Sequence, residues 1–236
     1  MKYFIDTEFK EYYKQYKVLG INVGYPTPTI DLISIGIVSE NGKTYYALNK
    51  ECDLKEVWND EWLKDNVLLP IYNESIDGDM KNVLGFSLST ITDIFTGQGK
   101  TKETIAKEIK DAIYNPINEP LEGIYPDMTP TNVEFYGYYA DYDWVVFCQL
   151  FGHMLDLPKG FPMYCRDIKQ LLDDKLSVLP NEKFFQFSDI QVGEVTLETK
   201  VKAIKQHPKY PTQTNEHNAL DDAKWNLKLY KFIQQL

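Results

Sequence analysis

In the segment Tyr3-Phe4-Ile5-Asp6-Thr7-Glu8-Phe9, two carboxylates stand one residue apart in an otherwise apolar run. Read as a strand, the run sends Asp6 and Glu8 to one face with their Cβ atoms about 6 to 7 Å apart, a reach that can bracket a hard divalent cation. Burying such acids without a cation or solvent would be costly. Taken alone, the pair fits a solvated strand end equally well. Around Asp141-Tyr142-Asp143 the acids precede an apolar stretch in which Asp143, Val146, Phe147 and Leu150 recur at i, i+3, i+4 and i+7. This places Asp143 on the inward stripe at a helix N-terminus, where negative charge is favoured, and leaves Asp141 as a cap. In isolation, both acids could equally be caps.

The terminal segment is the third place where acids fall in register with an apolar face. Asp221, Lys224, Lys228 and Lys231 share one arc of a helix, whereas Asp222 lies with Leu229 and Ile233 on the arc holding Ala223, Leu227 and Tyr230. Asp222 should therefore face the protein and Asp221 the solvent. His217, five positions before Asp222, belongs at or ahead of the cap and would reach the same centre from a loop; a surface or capping histidine is the plainer alternative. An imidazole titrates near neutral pH and can take a proton from water there.

Positioning these groups requires strands and helices in alternation. Lys2 to Phe9, Leu32 to Val38 and Thr44 to Leu48 read as strands, the last two joined by a Ser39-Glu40-Asn41-Gly42 turn. Lys10 to Thr29 between the first two is rich in Tyr and Lys and reads as a flap. Trp58 to Gly99 shows no sustained period and reads as irregular structure with short helices. Thr101 opens a capping box, and Ile105, Ile109, Ala112 and Ile113 recur at helical spacing until Pro116. Val133 to Tyr139 reads as a strand, Asp143 to Phe151 as a helix, Met163 to Cys165 as a short strand and Ile168 to Leu172 as a helix. Ser177 to Thr214 is a polar connection with a hairpin expected around Gly193, and Asn218 to Leu236 is a terminal helix. With no repeat, low-complexity tract or Gly/Ser linker, the expectation is one α/β domain over residues 1–236, with insertions at about 10–29, 58–99 and 177–214.

Composition narrows the partners. The 236 residues carry 25 Lys and Arg against 35 Asp and Glu, a formal charge of −10 that opposes broad adhesion to nucleic acid or anionic lipid, so any nucleic-acid site must be local. Arg166 is the only arginine, so guanidinium forks to phosphate are nearly absent and a divalent metal could fill that gap. Three cysteines without CxxC spacing suggest neither a disulfide framework nor a thiolate zinc site, and fit a reducing cytoplasm. No apolar run is long enough to span a bilayer, and Asp6 falls where a signal peptide would need its apolar stretch. The run Lys10-Glu11-Tyr12-Tyr13-Lys14-Gln15-Tyr16-Lys17 interleaves ammoniums with aromatic rings, as a single-strand stacking platform would; an amphipathic flap without ligand fits as well. Lys200, Lys202, Lys205 and Lys209 lie in an acid-free stretch that could gather phosphates, or could be a solvated loop.

Together, Phe4-Ile5-Asp6-Thr7-Glu8-Phe9, Tyr142-Asp143-Trp144-Val145-Val146-Phe147 and His217-Asn218-Ala219-Leu220-Asp221-Asp222-Ala223 resemble the three motifs of the DEDD exonuclease superfamily, histidine subtype. Asn218 stands where the tyrosine subtype would carry its phenol. The start and the Leu32-Ile33-Ser34-Ile35-Gly36 strand look most like compact bacterial and phage exoribonucleases related to ribonuclease T. The resemblance implies a ribonuclease H-like mixed sheet flanked by helices. It also implies 3′-to-5′ hydrolysis of single-stranded RNA to nucleoside 5′-monophosphates, with single-stranded DNA as the alternative substrate. By the same resemblance Asp6, Glu8, Asp143 and Asp222 hold two Mg2+ or Mn2+ ions, His217 activates water, Thr7 and Phe9 touch substrate, and the chain forms a homodimer. Two rivals remain. A nucleic-acid-binding module without turnover would not need all five groups, and a glycoside hydrolase built on paired carboxylates would need neither His217 nor a metal.

Overall fold

The computed structural model describes residues 1–76, 85–114, 130, 132–184 and 195–236. Among the described residues five strands form one mixed sheet in the order β3-β2-β1-β4-β5. They are β1 (Lys2–Val18), β2 (Ile21–Ser39), β3 (Thr44–Leu48), β4 (Glu134–Gly137) and β5 (Arg166–Asp167). The first three pair antiparallel, whereas β4 joins β1 in parallel and β5 joins β4 in parallel. This is the mixed α/β sheet flanked by helices that the sequence leads one to expect, and it is consistent with a ribonuclease H-like fold.

The helices are α1 (Leu54–Trp58), α2 (Glu61–Leu63), α3 (Leu69–Ser75), α4 (Leu88–Gln98), α5 (Lys102–Tyr114), α6 (Asp141–Gln149), α7 (Ile168–Val178), α8 (Leu197–Ile204) and α9 (Ala219–Ile233). A π-helical turn at Lys64–Leu68 links α2 to α3. Alternation in β1 splits the protein into two layers. Tyr3 and Ile5 point to the core shared with Ile105, Ile109 and Ile113 of α5 and with Trp144, Val146 and Phe147 of α6. Phe4 points the other way, into a core with Ile168, Leu172 and Leu176 of α7 and Ala223, Leu229 and Phe232 of α9. A third core joins Ile33 and Leu48 to the helices between β3 and α5, burying Val57, Leu68, Ile71, Ile91 and Phe95.

Several elements differ from the sequence expectation. The Lys10–Thr29 flap is a continuation of β1 and β2 as a twisted two-stranded ribbon, with Tyr12 opposite Thr29 and Lys14 opposite Thr27. Aromatic and β-branched residues favour such pairing, and the Leu19-Gly20 turn has positive φ at both positions (51° and 80°), as a tight hairpin with matched twist requires. The short strand lies at Arg166–Asp167, after rather than within Met163 to Cys165. α6 starts at Asp141, behind Ala140 as the cap, so Asp141 is the first helical residue rather than the cap. α7 runs on to Val178 because Leu176 continues its buried stripe. Ala112 is exposed, and the inward face of α5 is carried by its three isoleucines. The polar connection contains α8, capped by Thr196. The hairpin around Gly193 and the stop at Pro116 lie outside the described residues.

Candidate active site

Strand alternation and helix phase together deliver the acids to one cleft of ≈ 400 Å³, lined by Asp6, Thr7, Glu8, Phe9, Asp143, Gln213, His217 and Asp222, among others. Asp6 and Glu8 share the face of β1 that Phe4 presents to α9, while Thr7 turns to the α6 side. α9 can approach because Gly36, paired with Asp6 across β1 and β2, has no side chain: a Cβ there would lie 2.1 Å from the Ala219 carbonyl oxygen. Helical phase then buries Asp222 and leaves Asp221 half-exposed, bound to Lys224 and Asn215. Asn218 caps α9 by accepting from the backbone of Leu220 and Asp221, worth about 1 kcal/mol in such positions.

Asp143 arrives from the opposite layer. α6 begins just past the carboxyl end of β4, after a turn in which Tyr139 has φ 55° and Asp167 accepts from the Ala140 backbone at 2.8 Å. Buried Asp143 accepts from the Thr7 backbone N–H at 2.8 Å and from the Thr7 hydroxyl at 2.6 Å, both through Oδ1. Oδ2 has no part in that pair of bonds. Asp141 is exposed and is not among the residues lining the cleft.

His217 sits immediately before the α9 cap, with φ 67°, its backbone N–H donating to Asp222 Oδ2 at 2.8 Å. Glu8, His217 and Asp222 each offer a ligand atom within 4.8 Å of the other two. The carboxylates repel one another in a partly dry site. Burial, then Asp143, Glu8 and Asp222, hold the Asp6 carboxyl well above its ordinary range. Burial, then Asp222 and Asp143, push Glu8 up to about 8. Burial raises Asp143 to about 6 against the pull of the Thr7 bonds. Asp222 is raised by burial and held down by Gln213 and the His217 N–H. A divalent cation fits this donor set, carboxylate oxygens beside an imidazole, because it would relieve the mutual repulsion of the acids. Glu8, His217 and Asp222 could hold it, while Asp6 and Asp143 line the same cleft without joining that close group.

The remaining sequence readings divide. Phe9 lines the cleft and stacks on Tyr142, ring centroids 5.9 Å apart. The Thr7 side chain is committed to Asp143, so its contribution to the cleft is backbone and the orientation of that acid. Lys10 is ion-paired with Asp60, and Lys14 lies over the Tyr16 ring at 5.7 Å. Lys200 is buried, its ammonium donating at 3.0 Å to the carbonyls of Leu176 and Leu179 at the end of α7, so it closes a helix rather than collecting phosphates. Lys202 pairs with Glu198, while Lys205 and Lys209 are exposed. Arg166 pairs with Glu134.

Several residues at the cleft carry no mark in the sequence spacing, Glu216, Trp225 and Asn226 of its lining among them. Gln213 Nε2 donates to Asp222 Oδ1 at 2.6 Å. Trp62 sets its ring edge-on to His217, centroids 4.7 Å apart. Tyr138 and Tyr139 line the cleft. Trp62 and Gln213 sit in stretches without periodicity, so no spacing marked them. All three cysteines are free, and among the described residues no helix is long and apolar enough to cross a membrane.

Comparison with known proteins bears on this cleft. Two Mycobacterium tuberculosis proteins, the 3′-5′ exoribonuclease Rv2179c (strain H37Rv) and the 3′-5′ exoribonuclease MT2234.1 (strain CDC 1551), are each 27% identical to the chain over 177 residues, covering 74% of it and 76% of the relative. Residues 1–234, which include every acid of the cleft and His217, match the family described as the 3′-5′ exoribonuclease Rv2179c-like domain, and the chain belongs to that family.

Proposed function

We propose that the chain is a metal-dependent 3′-5′ exoribonuclease of the DEDD histidine subtype, related to ribonuclease T, releasing nucleoside 5′-monophosphates from single-stranded RNA. One observation carries the reading: in a chain of an exoribonuclease family, four carboxylates from three separate sequence regions converge with one histidine in a single cleft. The family description favours RNA over DNA. The extent of the catalytic domain, residues 1–236, and its assembly as a homodimer belong to the same reading, the latter resting on the resemblance alone.

In this mechanism Asp6, Glu8, Asp143 and Asp222 would hold two Mg2+ or Mn2+ ions, which would supply charge stabilisation to an in-line displacement. Thr7 orients Asp143 through two hydrogen bonds, and Gln213 orients Asp222 through one. His217, beside Glu8 and Asp222, accepts the proton of the attacking water. Phe9, which lines the cleft, offers its ring to the terminal base.

The test is digestion of RNA and DNA oligomers of one sequence, labelled at the 5′ end, with Mg2+ and with excess chelator. The reading expects a ladder shortening from the 3′ end of RNA, nucleoside 5′-monophosphates as product, and no cleavage in chelator. Faster digestion of DNA would move the substrate assignment, and full turnover in chelator would refute the metal mechanism.

A further inference from the structure

The loop carrying His217 passes twice through the left-handed region of backbone conformation, at Asn215 and at His217. Both have positive φ, 60° and 67°, a region only a few per cent of non-glycine residues occupy, Asn and His more often than most, and one that costs energy unless neighbouring groups hold it. Part of the constraint is local: Asp222 accepts the His217 N–H and Asp221 accepts the Asn215 amide at 2.8 Å. The rest comes from the helices between β3 and β4. Glu74, in the last turn of α3, accepts the Asn215 side-chain amide through Oε1 and the Asn218 side-chain amide through Oε2, each at 2.9 Å. Its two oxygens therefore bridge the residues on either side of Glu216 and His217, while Trp62 of α2 lies against the imidazole itself.

We propose that Glu74 is a positioning residue for His217, bridging Asn215 and Asn218 so that the loop stays in its left-handed conformation and the ring stays beside Glu8 and Asp222. The inference rests on the reading of His217 as the general base. It gives the insertion carrying α2 and α3 a part in catalysis: α9 alone orders the loop from one side, and Glu74 with Trp62 holds it from the other. A carboxylate suits the task because both its oxygens accept, which lets one side chain receive two amide donors at once.

The experiment compares Glu74→Ala, Glu74→Gln and Asn218→Ser, in wild-type and His217→Ala backgrounds. Serine preserves the helix cap while removing the amide that reaches Glu74, so the bridge can be cut without deleting the glutamate, including where Glu74→Ala folds poorly. Single-turnover RNA hydrolysis by Glu74→Ala should fall about 10- to 100-fold, the scale expected of a misplaced catalytic group, with RNA affinity within about twofold of wild type. Glu74→Gln, which keeps one good acceptor, should fall between. In the His217→Ala background none of the three changes should reduce the rate further. Independently of activity, the His217 ring signal, one of three histidines in the chain, should broaden or shift in the NMR spectrum of the metal-free Glu74 variants. An unchanged ring signal overturns the proposal, as does a Glu74→Ala rate equal to wild type while His217→Ala is slow, or an equal loss with and without His217. A His217→Ala enzyme as fast as wild type would instead refute the general-base reading and leave the ring signal to decide whether Glu74 positions the loop.

Discussion

Thr7 and Asp143, 136 positions apart, are joined twice: the Thr7 backbone N–H and the Thr7 hydroxyl both donate to Asp143 Oδ1, at 2.8 and 2.6 Å. The residue between the two acids of β1 thereby orients the acid of α6. Thr7→Val keeps the shape and removes the hydroxyl, leaving a carboxylate short of a hydrogen bond worth about 1.5–3 kcal/mol when one partner is charged. Its single-turnover rate should fall about tenfold or more, with Thr7→Ser close to wild type; equal rates for Val and Thr would show that the backbone bond suffices.

Asp141 and Asp143 are two residues apart and meet different surroundings, one exposed and one buried against Thr7. Asp143→Asn should abolish turnover and Asp141→Asn should leave most of it. Steady-state kinetics on one RNA oligomer check this, and comparable losses at both positions would contradict the assignment.

The clustered acids make a definite pH signature in metal-free protein. Glu8 is raised from 4.5 to about 8 and Asp143 from 3.8 to about 6. Between the unfolded and folded values the folded state binds more protons than the unfolded, so stability is greatest below about pH 4 to 4.5 for these groups and is lost as pH rises through about 6 and then about 8. Chelated protein should therefore melt at lower temperature at pH 8 than at pH 6, by about 2–4 °C for each kcal/mol involved. Glu8→Gln should flatten that slope and raise the pH 8 midpoint, and saturating Mg2+ should do the same for wild type. A slope unchanged by Glu8→Gln would show that Glu8 is ionised without penalty.

The start of α9 lies against Gly36, and the space for a Cβ is already filled by the Ala219 backbone. Gly36→Ala must push the start of α9, with Asp222, away from Asp6 and Glu8. We expect a stability loss of about 1–3 kcal/mol, as overpacking gives, and a rate loss on the order of 100-fold. A variant less stable but fully active would mean that the helix shifts without moving Asp222.

The sequence carried the acids because strand and helix periodicity directly encode which side a residue faces: alternation paired Asp6 with Glu8, and the apolar arc of α9 separated Asp222 from Asp221. It did not carry the ribbon of β1 and β2, whose exposed rings and lysines repeat without an apolar side to give them a period. Nor did it carry β5, two residues held by pairing to β4, or Lys200, whose burial depends on carbonyls of a different helix. Trp62, Glu74 and Gln213 act through contacts across at least nine positions, and such contacts leave no trace in local spacing.

The account turns on the separation of roles between the four acids and His217. Divalent-cation affinity, RNA affinity and single-turnover rate measured together on His217→Ala test it most directly. If His217 takes the proton, the rate should fall about 10²- to 10⁴-fold while both affinities stay near wild type. A wild-type rate would remove the histidine from the chemistry, and a lost cation affinity would make it a ligand beside Glu8 and Asp222; either result contradicts the account.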